Sequence, residues 1–201
     1  MKNNKIINVS GLGNSGMFLK TAVLGDVITN ATTGSIIDVS GSNNIGMRMD
    51  LGALVLTGAP TGKNEGTIEI TSGNDNIGML ANGKNGTVAV QAINSGDINI
   101  KGGITNSAIS SLNGGNIENT GNIKIESPVI KSIGMYIERG STGTGTGNIT
   151  VTGDGNTAIA NFGTFTQTAG TIDVSGKDSI GVYAKDATSD TLIKNSIVNA
   201  K

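Results

Sequence analysis

The chain has 201 residues, with 14 basic and 15 acidic side chains, 32 Gly, 2 Pro and no Cys, His or Trp. A net charge of −1 with no basic cluster leaves no footprint for nucleic acid, while the missing Cys and His exclude disulfides, thiolate or imidazole metal sites and His- or Cys-dependent catalysis. With 36% hydrophobic but only 2% aromatic residues, a core is expected, and it must be built from aliphatic side chains rather than rings.

The polar start around Lys2 and the isolated pair Ile6 and Ile7 lack the continuous apolar stretch of a signal peptide. Residues 51–59 are interrupted by Gly and fall far short of the roughly 20 residues a membrane-spanning helix needs. From Ile7 onward the sequence repeats. A first segment opens at Ile7, Ile37, Ile68, Ile98, Ile123, Ile149 and Ile172, at intervals of 30, 31, 30, 25, 26 and 23 residues, and two places further on stands Ile or Val every time. A second segment follows a polar turn and centres on Met17, Met47, Met79, Ile109, Met135, Ile159 and Val182, each preceded by Gly or Ala. Both segments alternate with period two, the signature of a strand, and no stretch sustains helical spacing. A unit of this length cannot close a core alone but buries its apolar face by stacking on copies of itself. The pattern therefore predicts an all-β parallel β-helix (β-solenoid) of about seven turns over residues 1–201, one repeat domain roughly 34 Å long at ~4.8 Å per turn.

Three inward columns are expected: the Ile, the Ile or Val two places on, and the Met column. Between the first two lies an outward polar column of Asn8, Asp38, Glu69, Asn99, Lys124, Thr150 and Asp173. Just before each second strand stand Asn14, Asn44, Asn76, Asn106, Ser132, Asn156 and Ser179. Asn tolerates left-handed backbone and its amide bonds the backbone or the Asn above, so this column is expected to mark a corner of each turn. The third side is less regular. Its longest stretch, residues 56–66 with Pro60, Lys63 and Glu65, is a candidate protrusion. At the other end, Ile197 follows Ile172 by 25 residues and resembles the start of an eighth unit. Neither end carries a recognisable cap, which reads as an uncapped fragment of a longer polypeptide.

Among sites, Asp38 and Glu69 stack one strand spacing apart, close to the carboxylate separation of retaining glycosidases, but on an exposed polar column without a cleft. Gly102-Gly103 and Gly114-Gly115 do not extend into a calcium-binding repeat. Thr142, Thr144, Thr146 and Thr164, Thr166, Thr168 break off after one or two turns and are read as turn filler. Asn8, Asn30 and Asn148 match a glycosylation consensus at the rate chance allows. No cofactor and no metal is expected. One outward column is not polar: the residue after the Met column reads Phe18, Arg48, Leu80, Ser110, Tyr136, Ala160, Tyr183. Beside it, the column Gly16, Gly46, Gly78, Ala108, Gly134, Ala158, Gly181 is expected to leave a shallow outer strip. Phe18, Arg48, Leu80, Tyr136 and Tyr183 are the candidate binding residues, since aromatic and Arg side chains over small residues suit protein or glycan contact.

The Ile-Gly-Met runs that follow Asn at Asn44 and Asn76, with Ser132-Ile133-Gly134-Met135-Tyr136 and Ser179-Ile180-Gly181-Val182-Tyr183, each behind an Ile-x-Ile/Val strand, resemble passenger repeats of bacterial type V autotransporter adhesins of the fusobacterial outer-membrane type. The resemblance covers essentially the whole chain. It implies a right-handed β-helical stalk, secreted and displayed on the cell surface, non-enzymatic, serving attachment or coaggregation through a host or bacterial surface protein or glycan. Membrane contact would come only through a C-terminal β-barrel that this sequence lacks, and no obligate oligomer is implied. The alternatives are a carbohydrate-active β-helix enzyme and a secreted structural filament.

Overall fold

Alternation places both aliphatics of each Ile-x-Ile/Val segment on one side of a strand, and parallel stacking then sets like upon like. The computed structural model describes residues 1–21, 25–31, 34–52, 59–86, 88–185 and 188–200, and in it this arrangement forms three parallel sheets wound into a β-helix of about seven turns. The first, the Ile face, has eight strands: Ile6–Val9, Ile36–Val39, Thr67–Ile70, Asp97–Ile100, Asn122–Ile125, Asn148–Val151, Thr171–Val174 and Ile197–Ala200. The second, the Met face, has seven, from Ser15–Thr21 through Ile45–Leu51, Ile77–Asn82, Ser107–Leu112, Ile133–Ile137 and Thr157–Asn161 to Ile180–Ala184. No helix occurs among the described residues.

The Ile face keeps the expected register, Ile37 on Ile68 on Ile98 on Ile123, and these residues together with Val39, Ile70, Ile100 and Ile125 are wholly buried. Met17, Met47, Met79, Ile109, Met135 and Ile159 close the core from the Met face.

The third side is as regular as the other two. Lys2–Asn3, Val27–Asn30, Thr61–Asn64, Gln91–Asn94, Asn116–Asn119, Thr142–Gly145, Thr164–Gln167 and Asp190–Ile193 form an eight-stranded sheet. The expected protrusion is thereby corrected: Pro60 is buried and Lys63 sits within a strand, while residues 56–58 lie outside the described ones. The sequence conceals this sheet because its inward column, Ile28, Gly62, Ala92, Ile117, Gly143 and Phe165, mixes the smallest and largest side chains. Size is matched across the core as well as along the column. A Cβ on Gly62 would lie 2.3 Å from the Met49 sulfur, and one on Gly143 would lie 2.8 Å from Ile137 and 3.1 Å from Phe165. Close packing of this kind leaves no room for a methyl group.

Two rows of amides run along the corners. At the corner leading into the Met face, the backbone N–H of Asn14 donates to Asn44 Oδ1 (2.7 Å), that of Asn44 to Asn76 Oδ1 (2.9 Å), and that of Asn76 to Asn106 Oδ1 (2.8 Å). Ser132, Asn156 and Ser179 continue the row. The left-handed backbone falls one residue earlier than expected, on Gly13, Asn43, Asp75, Thr105, Lys131, Gly155 and Asp178. That position turns the chain, which frees the Asn after it to point inward and bond the neighbouring turn.

The second row was not anticipated. Along the edge of the third sheet, Asn3 Nδ2 donates to Asn30 Oδ1 (2.8 Å), Asn30 to Asn64 (2.7 Å), Asn64 to Asn94 (2.7 Å) and Asn94 to Asn119 (2.8 Å). The row stops at Gly145. There Gln167, one turn on, extends its longer amide into the vacated space, donating to the Gly147 and Ala169 carbonyls (3.0 and 2.7 Å) while its Oε1 has no partner.

Two further expectations are corrected. The last strand pairs Val198, not Ile197, with Ile172, so the eighth unit begins one residue later than the Ile spacing suggested. The Gly and Ala column of the Met face points inward: Ala108 and Ala158 are fully buried, and a Cβ on Gly46 would lie 2.7 Å from the Gly78 carbonyl and 3.3 Å from the Ile68 γ-methyl. Alternation fails here because the strand is still turning the corner, so two consecutive residues face the core and the first must be small.

Candidate binding surfaces

The strands of the Met face bring Phe18, Arg48, Leu80, Ser110, Tyr136, Ala160 and Tyr183 into one outward column by direct pairing. Exposure along it is uneven. Phe18 is 47% exposed and Tyr183 36%, whereas Leu80 is only 4% exposed. Leu80 is thus covered although it faces outward, as are Ser110 and Ala160, so the column is divided into two exposed parts, and with the small residues turned inward there is no shallow strip beside it.

In the first part the Arg48 guanidinium lies 5.4 Å above the Phe18 ring centre. It is held there by Asp50, whose carboxylate accepts from Arg48 Nε at 2.9 and 3.1 Å and pairs with Nη2 at 2.8 Å. Asn82 Nδ2 donates to the same carboxylate at 3.1 Å, which holds Asp50, and through it the cation, in place beside the ring.

In the second part the sequence reading missed a member. Phe162, in the connection after Thr157–Asn161, stands between the two tyrosines, its ring centre 5.7 Å from Tyr136 and 6.0 Å from Tyr183, in tilted and edge-on geometries favoured by aromatic quadrupoles. Burial against this cluster, with Glu138 nearby, raises the Tyr136 pKa above its ordinary value of 10.0. No strand periodicity marks Phe162, because it lies just beyond the last paired residue of its strand.

The stacked carboxylates Asp38 and Glu69 do pair in register on the Ile face. Their acceptor capacity is engaged by neighbours: Thr71 donates to Asp38 at 2.8 Å, and Lys101 Nζ lies 2.5 Å from Glu69. That hydrogen bond to Glu69 raises the Lys101 pKa above its ordinary 10.5. Among the described residues, no group of three or more acidic side chains gathers into a cation-sized cluster. Asn30 is completely buried within its amide row, which removes it as a glycosylation acceptor, while Asn8 and Asn148 are exposed.

Four of the six threonines are strand residues of the third sheet, not turn filler, while Thr146 and Thr168 follow the strand ends. Thr142 pairs with Thr164 and Thr144 with Thr166, all four directed outward. Beside them two shallow concavities of about 260 and 130 Å³ follow the rod axis and share Glu118 and Thr144 in their walls. No family model, no curated protein and no solved structure matches this chain.

Proposed function

We propose that this chain is a stalk segment of a surface adhesin, a non-enzymatic β-helical rod of the autotransporter passenger kind that is displayed outside the cell and holds contact residues away from it. The observation that carries this reading is the ring cluster of Tyr136, Phe162 and Tyr183, half-exposed on the outer wall of a rod whose interior is built mainly of stacked aliphatic and amide columns. A ladder interior gives length and stiffness at little sequence cost. Exposed rings, by contrast, gain nothing for the core and suit contact with a host or bacterial surface protein or glycan.

Beads coated with wild-type protein or with the double variant Tyr136→Ser, Tyr183→Ser test the reading by attachment to epithelial or bacterial cells. Loss of both rings removes roughly 2 kcal/mol or more of interface energy, an attachment loss of about thirtyfold. Unchanged attachment by a variant whose circular dichroism and melting match wild type would sink the reading.

A further inference from the structure

The outer wall of the third sheet has two lanes of side chains in register. One is Gln91, Asn116, Thr142 and Thr164, the other Ile93, Glu118, Thr144 and Thr166. The larger concavity lies between these lanes and the smaller on the far side of the second lane, against Thr146 and Thr168, so Glu118 and Thr144 stand in the wall common to both halves of the groove. It crosses four strands, about 14 Å along the rod. Its larger half, about 260 Å³, is shallower than the enclosed clefts of small ligands, roughly 300–1,000 Å³, and suits a chain lying along the surface.

The chemistry of the groove is specific. Glu118 is its only charged wall residue, and among the described residues it has no ion pair and no side-chain hydrogen bond. Its lane neighbours are Ile93 on one side and Thr144 on the other, so nothing beside it in the sheet neutralises it. Lys63 lies in the same lane but two strands away, at about 10 Å between backbones, and among the described residues it makes no ion pair with Glu118. Both Glu118 oxygens are therefore free to accept, and two adjacent hydroxyl groups match a carboxylate as a pair of donors. Thr144 and Thr166 each offer a hydroxyl that donates or accepts, and Gln91 an amide that does both. Between these polar groups, the Ile93 side chain and the threonine methyls supply apolar contact.

We propose that this groove binds a neutral linear oligosaccharide, with Glu118 accepting a pair of vicinal hydroxyls and Thr144 and Thr166 bonding the next sugar. A sugar chain alternates hydroxyl edges with apolar C–H faces, which matches the alternation of acceptor, hydroxyl and methyl along the lane. Acidic sugars are disfavoured, because a uronate carboxylate would meet an unneutralised Glu118. The groove lies on a different face from the ring cluster, so the proposal stands independently of the stalk reading.

The test is calorimetric titration of the intact chain with cellotetraose, maltotetraose, mannotetraose, chitotetraose and, as the acidic contrast, tetragalacturonate. At least one neutral tetrasaccharide is expected to bind with a dissociation constant in the millimolar range or tighter, and tetragalacturonate not to bind. Glu118→Ala should weaken binding at least tenfold, Glu118→Gln less so, and Thr144→Val severalfold, each with the wild-type melting temperature since both positions face outward. Absence of binding by every neutral probe overturns the proposal. So does equal binding of tetragalacturonate, or affinity unchanged by Glu118→Ala. If the two tyrosine substitutions abolish binding and Glu118→Ala does not, sugar recognition lies at the rings and the groove is refuted. Loss of cell attachment with tetrasaccharide affinity intact bears on the stalk reading only.

Discussion

The interruption of the buried amide row at Gly145 offers a repair whose energetics follow from its geometry. Four Asn-to-Asn hydrogen bonds of 2.7–2.8 Å lead up to Asn119, whose Nδ2 then has only a long bond of 3.4 Å to the Gly121 carbonyl. Asn at position 145 alone cannot continue the row, because its Cβ would fall 1.8 Å from Gln167 Oε1. Shortening Gln167 to Asn in the same chain removes that collision and aligns the two amides as in the turns below. The backbone permits it, since Gly145 lies in a strand and is not among the residues of positive φ. The double variant gains two buried hydrogen bonds at about 1 kcal/mol each and removes an unpartnered buried carbonyl, worth about 1 kcal/mol or more. Replacing Gly adds about 0.5 kcal/mol by restricting the unfolded chain. One lost methylene costs about 0.8 kcal/mol, and the Gln167 bonds to the Gly147 and Ala169 carbonyls are given up at about 1 kcal/mol each. The net gain of about 1 kcal/mol corresponds to a rise of roughly 2–4 °C in melting temperature for a chain of this size. Gly145→Asn alone should melt below wild type. Thermal unfolding followed by circular dichroism decides it: a double variant no more stable than wild type, or a single variant no less stable, refutes the assignment of Gln167 as a substitute for the missing amide.

Two further substitutions probe the interior and the surface. Ile98→Asp places an unpaired charge in a fully buried column and is expected to cost several kcal/mol, abolishing a cooperative melt, while Asn99→Asp, outward and between Glu69 and Lys124, should shift stability by less than about 0.5 kcal/mol; equal melting of the two would contradict the in/out assignment. The surface pair of Lys101 and Glu69, with side chains 40% and 24% exposed, should contribute less than about 1 kcal/mol. Because the folded Lys101 pKa is raised, its contribution is complete below pH 10.5 and disappears as the pH climbs through the folded value. Denaturant titrations of wild type and Lys101→Met should therefore converge above that pH, and a gap that persists there would assign the effect to the lysine stem.

Positions at a constant offset from the repeating Ile were readable from sequence, because strand alternation and stacking both preserve that offset. The Ile, Val and Met columns and the Asn44, Asn76, Asn106 row are of this kind. The second amide row carried a trace of the same signal, since Asn3, Asn64, Asn94 and Asn119 all stand four places ahead of the Ile, but Asn30 is displaced by a longer corner and Gly145 ends the run. Inward Gly46 and Gly78 were misread because alternation was carried through a corner where the chain is not yet a flat strand. Leu80 occupies an outward register yet is buried, and Phe162 joins the rings from a connection, so both depend on packing around the sheet, to which period-two patterning is blind. The threonine lane was discounted because its columns break off after one or two turns. Gly-Thr alternation looks like a loop until the sheet beside it supplies the pairing.

Each hydrogen bond of the two amide rows joins residues 23 to 34 positions apart, always from one turn to the next. No loop longer than one turn has to close before a contact forms, so the entropic toll of ordering is met in equal small steps. A folding front can advance along such a chain from whichever end appears first, with completed turns serving as the template for the next. Opening runs the same way in reverse, and in hydrogen exchange the amides of Ile98 and Ile123, sealed by turns on both sides, should be among the last to yield their protons.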